Sequence, residues 1–230
     1  MKSRLMPIVL TTVLFTNITG NCSATESKYE HILMTILRDK ETETKEFREA
    51  TLKLSDILVS KVVEKLPTTI KNIETPVSYF FGEELLNRID LVSIMRSGDA
   101  LLDTFMKHFP EANVSKVLIQ RNEETAEPEF NYMKLSSTIS SGSSVIITEP
   151  MIATGGTLLM VISLLKDKGV KEENIFIASV CVAPEGLQAI QTQFPLVTVI
   201  SIAVDEKLND KKYIVPGLGD FGDRFFGTTM

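Results

Sequence analysis

From residue 26 onward, apolar side chains recur every third or fourth position with charged residues between them. In "SKYEHILMTILRD" and then "TKEFREATLKLSDILVSKVVEKL" the spacing sets Phe47, Leu54, Ile57, Leu58, Val62 and Leu66 along one face, which predicts two amphipathic helices. Thr42 or Thr44 is the expected cap of the second helix and Pro67 its stop. The joining stretch "TTIKNIETPVSYFFGEELLNRI" reads as partly extended, with no low-complexity linker.

Past residue 90 the pattern changes to short Val/Ile-rich runs: "LVSIM" (91–95), "VSKVLI" (114–119), "VIIT" (145–148), "IFIASVCV" (175–182) and "VTVISIAV" (197–204). Amphipathic stretches near 99–108, 156–168 and 185–194 separate them. Apolar strands joined by crossovers long enough for a helix predict an α/β fold, a twisted parallel sheet flanked by helices on both faces. The exception is 120–144, a polar stretch containing "FNYM". It is too long for a tight turn and predicts a β-hairpin flap able to close over a site.

Composition narrows the class. With 230 residues, 43% of them hydrophobic, the chain can bury one substantial core, read here as a single domain over 26–230 after a distinct segment, 1–25. In that segment Lys2 and Arg4 precede "LMPIVLTTVLF", so it is either a secretory signal or an N-terminal arm that adds a strand to this or another subunit. The run is too short to span a bilayer, and no membrane span is expected. A formal net charge of −6 with no basic block gives no electrostatic reason for a nucleic-acid partner. Cys22 and Cys181 cannot make a disulfide framework, and Cys181 reads as a buried, inert thiol. His31 and His108 share no metal-ligand spacing, so no direct metal site is expected.

The chemistry concentrates in "TEPMIATGGT" (148–157). An apolar strand ends at Glu149, a short loop holds Thr154, Gly155, Gly156 and Thr157, and a helix follows. At the carboxyl end of a parallel strand this is where ligands bind. The helix start offers free N–H groups and a positive dipole end to a phosphate, and the glycines let its oxygens come close. The loop lacks the lysine of a P-loop and the third glycine of a dinucleotide fingerprint. A carboxylate beside a phosphate cradle is repulsive unless it faces donors such as ribose hydroxyls, so Glu149 points to a ribose 5-phosphate. Taken alone, the same four residues also suit an ordinary βα turn.

Two further strand ends carry arginines: Arg96 and Gly98 in "SIMRSGDAL", and Arg121 in "LIQRNEETAEP". Arginine forks at the ends of strands in the same sheet suit a pyrophosphate. Near the C-terminus, "YIVPGLGDFGDRFFGT" (213–228) packs four glycines, a proline and two aspartates into sixteen residues, building an irregular loop with backbone donors and acceptors exposed and Asp220 placed to reach a metal or a bound water.

In this order, "IMRSG", "QRNEET", "EPMIATGGT", "APEG" and "DEKLNDKKYIVPGLGDFGDRFFGT" resemble uracil phosphoribosyltransferases, a likeness that covers about residues 30–228. The resemblance implies the phosphoribosyltransferase-type sheet with a hairpin flap and N-terminal helices, and an enzyme of pyrimidine salvage. It would transfer the 5-phosphoribosyl group of phosphoribosyl pyrophosphate (PRPP) to uracil, giving UMP and diphosphate. It implies that Glu149 meets the ribose hydroxyls while Pro150, Met151, Ile152, Ala153, Thr154, Gly155, Gly156 and Thr157 carry the 5-phosphate. Arg96 and Arg121 would contact the pyrophosphate. Tyr213, Ile214, Gly219, Asp220 and Phe221 would surround uracil, with Asp220 also linked through water or Mg²⁺ to the cosubstrate. Arg121, Glu149 and Asp220 are thus the expected catalytic residues, and Mg²⁺ arrives with PRPP rather than through direct ligands.

Three positions depart from the family pattern. Glu149 replaces a usual aspartate, Asn122 replaces an aspartate beside Arg121, and Ser97 stands where bacterial members commonly have alanine. The flap also carries one extra residue before "KLSS". The resemblance further implies a homodimer or larger homo-oligomer and, from some relatives, GTP as an effector. PRPP is an intracellular metabolite, which points to the cytoplasm. Two rivals retain the fold: a catalytically silent nucleotide-binding regulator and an RNA-binding regulator, the latter opposed by the acidic charge balance.

Overall fold

The computed structural model describes residues 27–121, 128–140 and 142–228. The arm or signal of 1–25 and Asn122 lie outside them. Helix α1 (Lys28–Arg38) opens on a capping box, in which Ser27 Oγ accepts from Glu30 N at 3.2 Å and Glu30 Oε2 accepts from Ser27 N at 3.3 Å. Helix α2 (Thr44–Val63) buries Phe47, Leu54, Leu58 and Val62, the stripe its spacing predicts, with Ile57 only partly buried. Its cap is Glu43 rather than Thr42 or Thr44 and makes no side-chain bond. The Thr42 hydroxyl instead donates to the Ile36 carbonyl at 2.7 Å, bracing the turn between the helices. The helix ends at Val63, ahead of Pro67.

Strands β1 (Thr68–Glu74) and β2 (Tyr79–Leu85) form an antiparallel hairpin whose residues are nearly all exposed. With no face buried, it lacks the alternation that would have declared it in sequence. The central sheet then begins with β3 (Arg88–Met95), followed by α3 (Asp99–His108), β4 (Asn113–Arg121), β5 (Pro128–Lys134), β6 (Ser143–Thr148) and β7 (Met151–Ile152). Next come α4 (Gly156–Asp167), β8 (Ile175–Val182), α5 (Pro184–Gln193) and β9 (Thr198–Val204). Two short paired strands, β10 (Lys207–Leu208) and β11 (Ile214–Val215), lead to α6 (Phe221–Phe226).

The strand order is β5-β4-β3-β6-β8, with β7 and β9 also on β8, and every pairing is parallel except β4 with β5. The β4–β5 pair is the expected hairpin flap. A register shift lets Asn131 bulge between Phe130 and Tyr132, taking up one residue on β5. Side chains alternate between two cores: Leu91, Ile146 and Phe176 pack with α1, α2 and α3, whereas Val92, Val145, Ile147 and Ile177 pack with α4 and α5. From β3 the chain moves to β4 on one side and later returns to β6 on the other. The crevice between the carboxyl ends of β3 and β6 is therefore the topological switch point.

Candidate active site

Loop 96–98 leaves β3 and lies directly against the end of β6. A Cβ on Gly98 would stand 2.2 Å from the Thr148 carbonyl oxygen, so only glycine permits this approach. The close packing brings Ser97 to Glu149, whose Oε1 accepts from Ser97 Oγ at 3.0 Å and from Met151 N–H at 3.5 Å. Glu149 is buried, and desolvation raises its carboxyl to about 7 against the pull of those two donors.

The expected short loop after β6 contains an additional strand. Pro150 turns the chain into β7, which continues along β8. The Pro150 carbonyl accepts from Val180 N–H and Cys181 N–H, both at 2.9 Å, and from Ser179 Oγ at 3.1 Å. Pro150 lines neither cleft described below, and its carbonyl anchors the loop to β8. Gly155 then caps α4 at φ 81°, a left-handed conformation suited to glycine, and α4 starts at Gly156. Met151, Ile152, Ala153, Thr154, Gly155, Gly156 and Thr157 line a cleft of about 330 Å³ together with Glu149, Ser97 and Asp220. These are the residues that the sequence reading expects to form a phosphate cradle.

Gly186, from the "APEG" stretch, sits in the first turn of α5 beneath this loop, where an added Cβ would be 2.4 Å from the Ala153 carbonyl oxygen. Gly186→Ala is therefore expected to displace the cradle and raise the KM for a phosphorylated ligand roughly tenfold, since misplacement of about an ångström at a site is costly. Steady-state kinetics check this, and an unchanged KM would show that the loop absorbs the methyl.

A second cleft, about 500 Å³, shares Ser97, Met151, Ala153 and Asp220 with the first. Tyr213, Ile214, Gly219, Asp220 and Phe221 all line it, with Arg96 and Lys212. The loop that shapes it is pinned from behind. Asp205, at the end of β9, accepts from Arg38 at 2.5 and 2.8 Å and from Gly217 N–H at 2.8 Å, while Arg38 also donates to the Gly217 carbonyl at 2.9 Å. Arg224 donates to the carbonyls of Leu218 at 2.7 Å and Asp39 at 2.6 Å, and also to that of Leu37. Burial alone would raise the Asp205 carboxyl, but hydrogen bonds from Arg38, Cys181 and Gly217 N–H outweigh it and hold it below the usual range. Burial pushes the Cys181 thiol up to about 12, with Asp205 adding to the shift, consistent with an inert thiol.

Arg96 lies at the rim of the second cleft. Its Nη2 donates to Asp223 Oδ1 at 2.6 Å, its Nη1 to Thr228 Oγ1 at 2.9 Å, and its guanidinium sits 5.6 Å from the centre of the Phe226 ring. Asp220 caps α6, its Oδ1 accepting from Asp223 N–H at 2.8 Å. Arg121 is the last residue of β4, two strands from β6, and its side chain lies outside the described set. Sequence reading missed Arg38, Asp205, Arg224, Asp223 and Lys212. The density of charges between 205 and 224 was the available signal, but it does not name partners. Among the described residues no group of three or more His, Cys, Asp and Glu is placed to hold a metal.

A mostly parallel sheet with a glycine-turned loop led by Glu149 at its switch point, opening onto a second cleft beneath a C-terminal loop, is the arrangement of the phosphoribosyltransferase fold. Adenine phosphoribosyltransferase from Trypanosoma brucei shares the fold at a TM-score of 0.54 and 13% identity, over 82% of this chain and 84% of that one. The family model for uracil phosphoribosyltransferase matches residues 24–228, and the chain belongs to that family. It is 40% identical over 205 residues to the uracil phosphoribosyltransferase of an Exiguobacterium species, covering 87% of this chain and 97% of that protein. The Dictyoglomus turgidum uracil phosphoribosyltransferase is 41% identical over 196 residues, covering 85% of this chain and 93% of its own length. The solved AQ2163 protein from Aquifex aeolicus is similar at a TM-score of 0.76 and 32% identity, over 90% of this chain and 97% of that one.

Proposed function

We infer that the chain transfers the 5-phosphoribosyl group of PRPP to N1 of uracil, releasing diphosphate and forming UMP, as an enzyme of pyrimidine salvage. The observation that carries this reading is the union of the two clefts. A sugar phosphate in the cradle and a base beneath the C-terminal loop would meet at their shared floor of Ser97, Met151, Ala153 and Asp220. As the C1–oxygen bond to pyrophosphate breaks and the C1–N1 bond forms, positive charge grows on the sugar and negative charge on the leaving group. The N1 proton departs to water or to the cosubstrate.

Glu149 would accept from the ribose hydroxyls, while the N–H groups and hydroxyls of 154–157 hold the 5-phosphate, so that orientation supplies much of the rate. Arg96 and Arg121 would stabilise the departing pyrophosphate. The bonds from Arg96 to Asp223 and Thr228 tie that arginine to α6, directly after the loop that reads the base. Mg²⁺ carried on the pyrophosphate would offset its charge, and an ion that keeps most of its phosphate and water ligands asks the protein for few carboxylates. Asp220 suits that role because its Oδ1 caps α6 while its Oδ2 takes no hydrogen bond among the described residues. Backbone N–H groups of 213–221 facing O4 would reject cytosine, whose amino group leaves such a donor unpaired.

The test is UMP formation from PRPP and Mg²⁺ with uracil, cytosine, orotate or hypoxanthine, with and without GTP, and with Arg121→Ala as control. Turnover of uracil alone, lost in the variant, is expected. PRPP binding without turnover of any base would favour the silent regulator instead. A rise in rate with GTP would establish the effector.

We place the self-association surface on the β1–β2 hairpin, where Ile70, Val77, Tyr79, Phe80 and Phe81 are 56–94% exposed. Exposed apolar side chains on both faces of one hairpin suit an interface with a second copy. A Phe80→Asp, Phe81→Asp double variant is expected to be monomeric by light scattering where the parent is a homo-oligomer, and an unchanged mass would remove the hairpin from the interface. No helix among the described residues is long and apolar enough to cross a membrane. The use of PRPP is the reason for placing the chain in the cytoplasm.

A further inference from the structure

We propose that Ser97 is a positioning residue for the Glu149 carboxylate, fixing Oε1 so that Oε2 is presented to the ribose hydroxyls of PRPP. This rests on the ribose-binding role given to Glu149 above. Both hydrogen bonds that order this side chain converge on one oxygen: Ser97 Oγ at 3.0 Å and Met151 N–H at 3.5 Å bond to Oε1, and Oε2 takes no hydrogen bond among the described residues. Glu149 nevertheless lines the phosphate cleft, so the unengaged oxygen is the one left for a ligand.

The contact is built by the sheet. Ser93 of β3 pairs with Thr148 of β6 in parallel register, which brings the two strand ends side by side. Gly98 then lets loop 96–98 press against the Thr148 carbonyl, and Ser97 arrives within reach. A glutamate has one more rotatable bond than an aspartate, and a bond to one oxygen removes that freedom before the ligand arrives. The glutamate and the serine thus act as one unit.

The same hydrogen bond opposes the effect of burial on the Glu149 carboxyl. The other ionisable side chains lining the two clefts are Arg96, Asp220, Lys212 and Tyr213. Ser97→Ala should therefore have two signatures. The KM for PRPP rises about tenfold, the typical weight of one hydrogen bond to a charged group, while the KM for uracil changes less than about twofold. The acid limb of the pH profile for PRPP use moves to higher pH.

The experiment is a double-mutant cycle of Ser97→Ala with Glu149→Asp, with Ser97→Thr and Glu149→Ala in parallel. The shorter acid withdraws its oxygens by about one methylene, so Ser97→Ala is expected to have little effect in the Glu149→Asp background. Ser97→Thr, which keeps the hydroxyl, should restore both the KM and the pH limb. An equal loss in both backgrounds, or no loss and no shift in Ser97→Ala, would overturn the positioning role alone, provided Glu149→Ala is severely impaired. If Glu149→Ala binds PRPP normally, the ribose reading fails and the inference falls with it.

Discussion

Glu149→Gln is expected to make the ligand-free protein more stable above neutral pH while removing most of its activity. The Glu149 carboxyl stands at about 7 in the folded chain against 4.5 as its ordinary value, with desolvation the main cause. Between those values the folded state holds a proton that the unfolded state has lost, so stability falls as pH rises through this window. Below about pH 4.5 both states are protonated and the residue contributes nothing; above about pH 7 the full cost is present, up to about 3 kcal/mol. A glutamine of the same shape never ionises. Its stabilising effect should be greatest near pH 8.5 and vanish near pH 4, as measured by denaturant midpoints across that range. Activity goes the other way if, as proposed, Glu149 is the ionised acceptor for the ribose hydroxyls. We expect a loss of about 100-fold or more in kcat/KM for PRPP, the scale of a charged group acting on the reacting sugar. Equal stability of the two proteins at pH 8.5 would mean that Glu149 is not strained by its burial.

Arg38→Met is the second large effect, and it acts at a distance. Arg38 lies at the end of α1 and touches neither cleft floor, yet its fork holds both Asp205 and the Gly217 carbonyl. Methionine keeps much of the packing volume but strands a buried carboxylate, whose remaining neighbours are the Gly217 N–H and the Cys181 thiol. Removing one partner of a buried pair costs about 3 kcal/mol or more. Because Asp205 is held below its ordinary range, the stability it confers is present above about pH 4 and is lost as pH falls through the depressed value. The variant's deficit should therefore be large at pH 7 and shrink in acid. The released loop is the one that carries Gly217, Leu218 and Gly219 into the second cleft, proposed above to hold the base, so the KM for uracil should rise more than the KM for PRPP. A stability loss with no change in either KM would make the clamp purely structural.

Much of this molecule was legible one segment at a time. The five Val/Ile runs past residue 90 became β3, β4, β6, β8 and β9, because β-branched runs bounded by helix-forming stretches have few other ways to be buried. The Thr-Gly-Gly-Thr turn became the start of α4, since left-handed Gly155 permits the chain reversal that the helix start needs. The C-terminal residues from Tyr213 to Phe221 were recognisable through their glycine density and resemblance. The β1–β2 hairpin was read only as partly extended because solvent on both faces erases periodicity. Strand β7 was missed because two residues are too few to show any.

What the sequence determined by itself is therefore local: where strands and helices lie, where a glycine turn opens a helix start, and which segments are candidates for the chemistry. What the tertiary structure alone decided is which of those segments meet. Ser97 reaches Glu149 across 52 positions, Arg96 reaches Asp223 across 127, and Arg38 reaches Asp205 across 167. None of these pairings has a period or a spacing, because each depends on strand order and parallel register. Those are set by how two whole cores close on one sheet, and a hydrophobic pattern says that a strand is buried without saying which strand lies beside it.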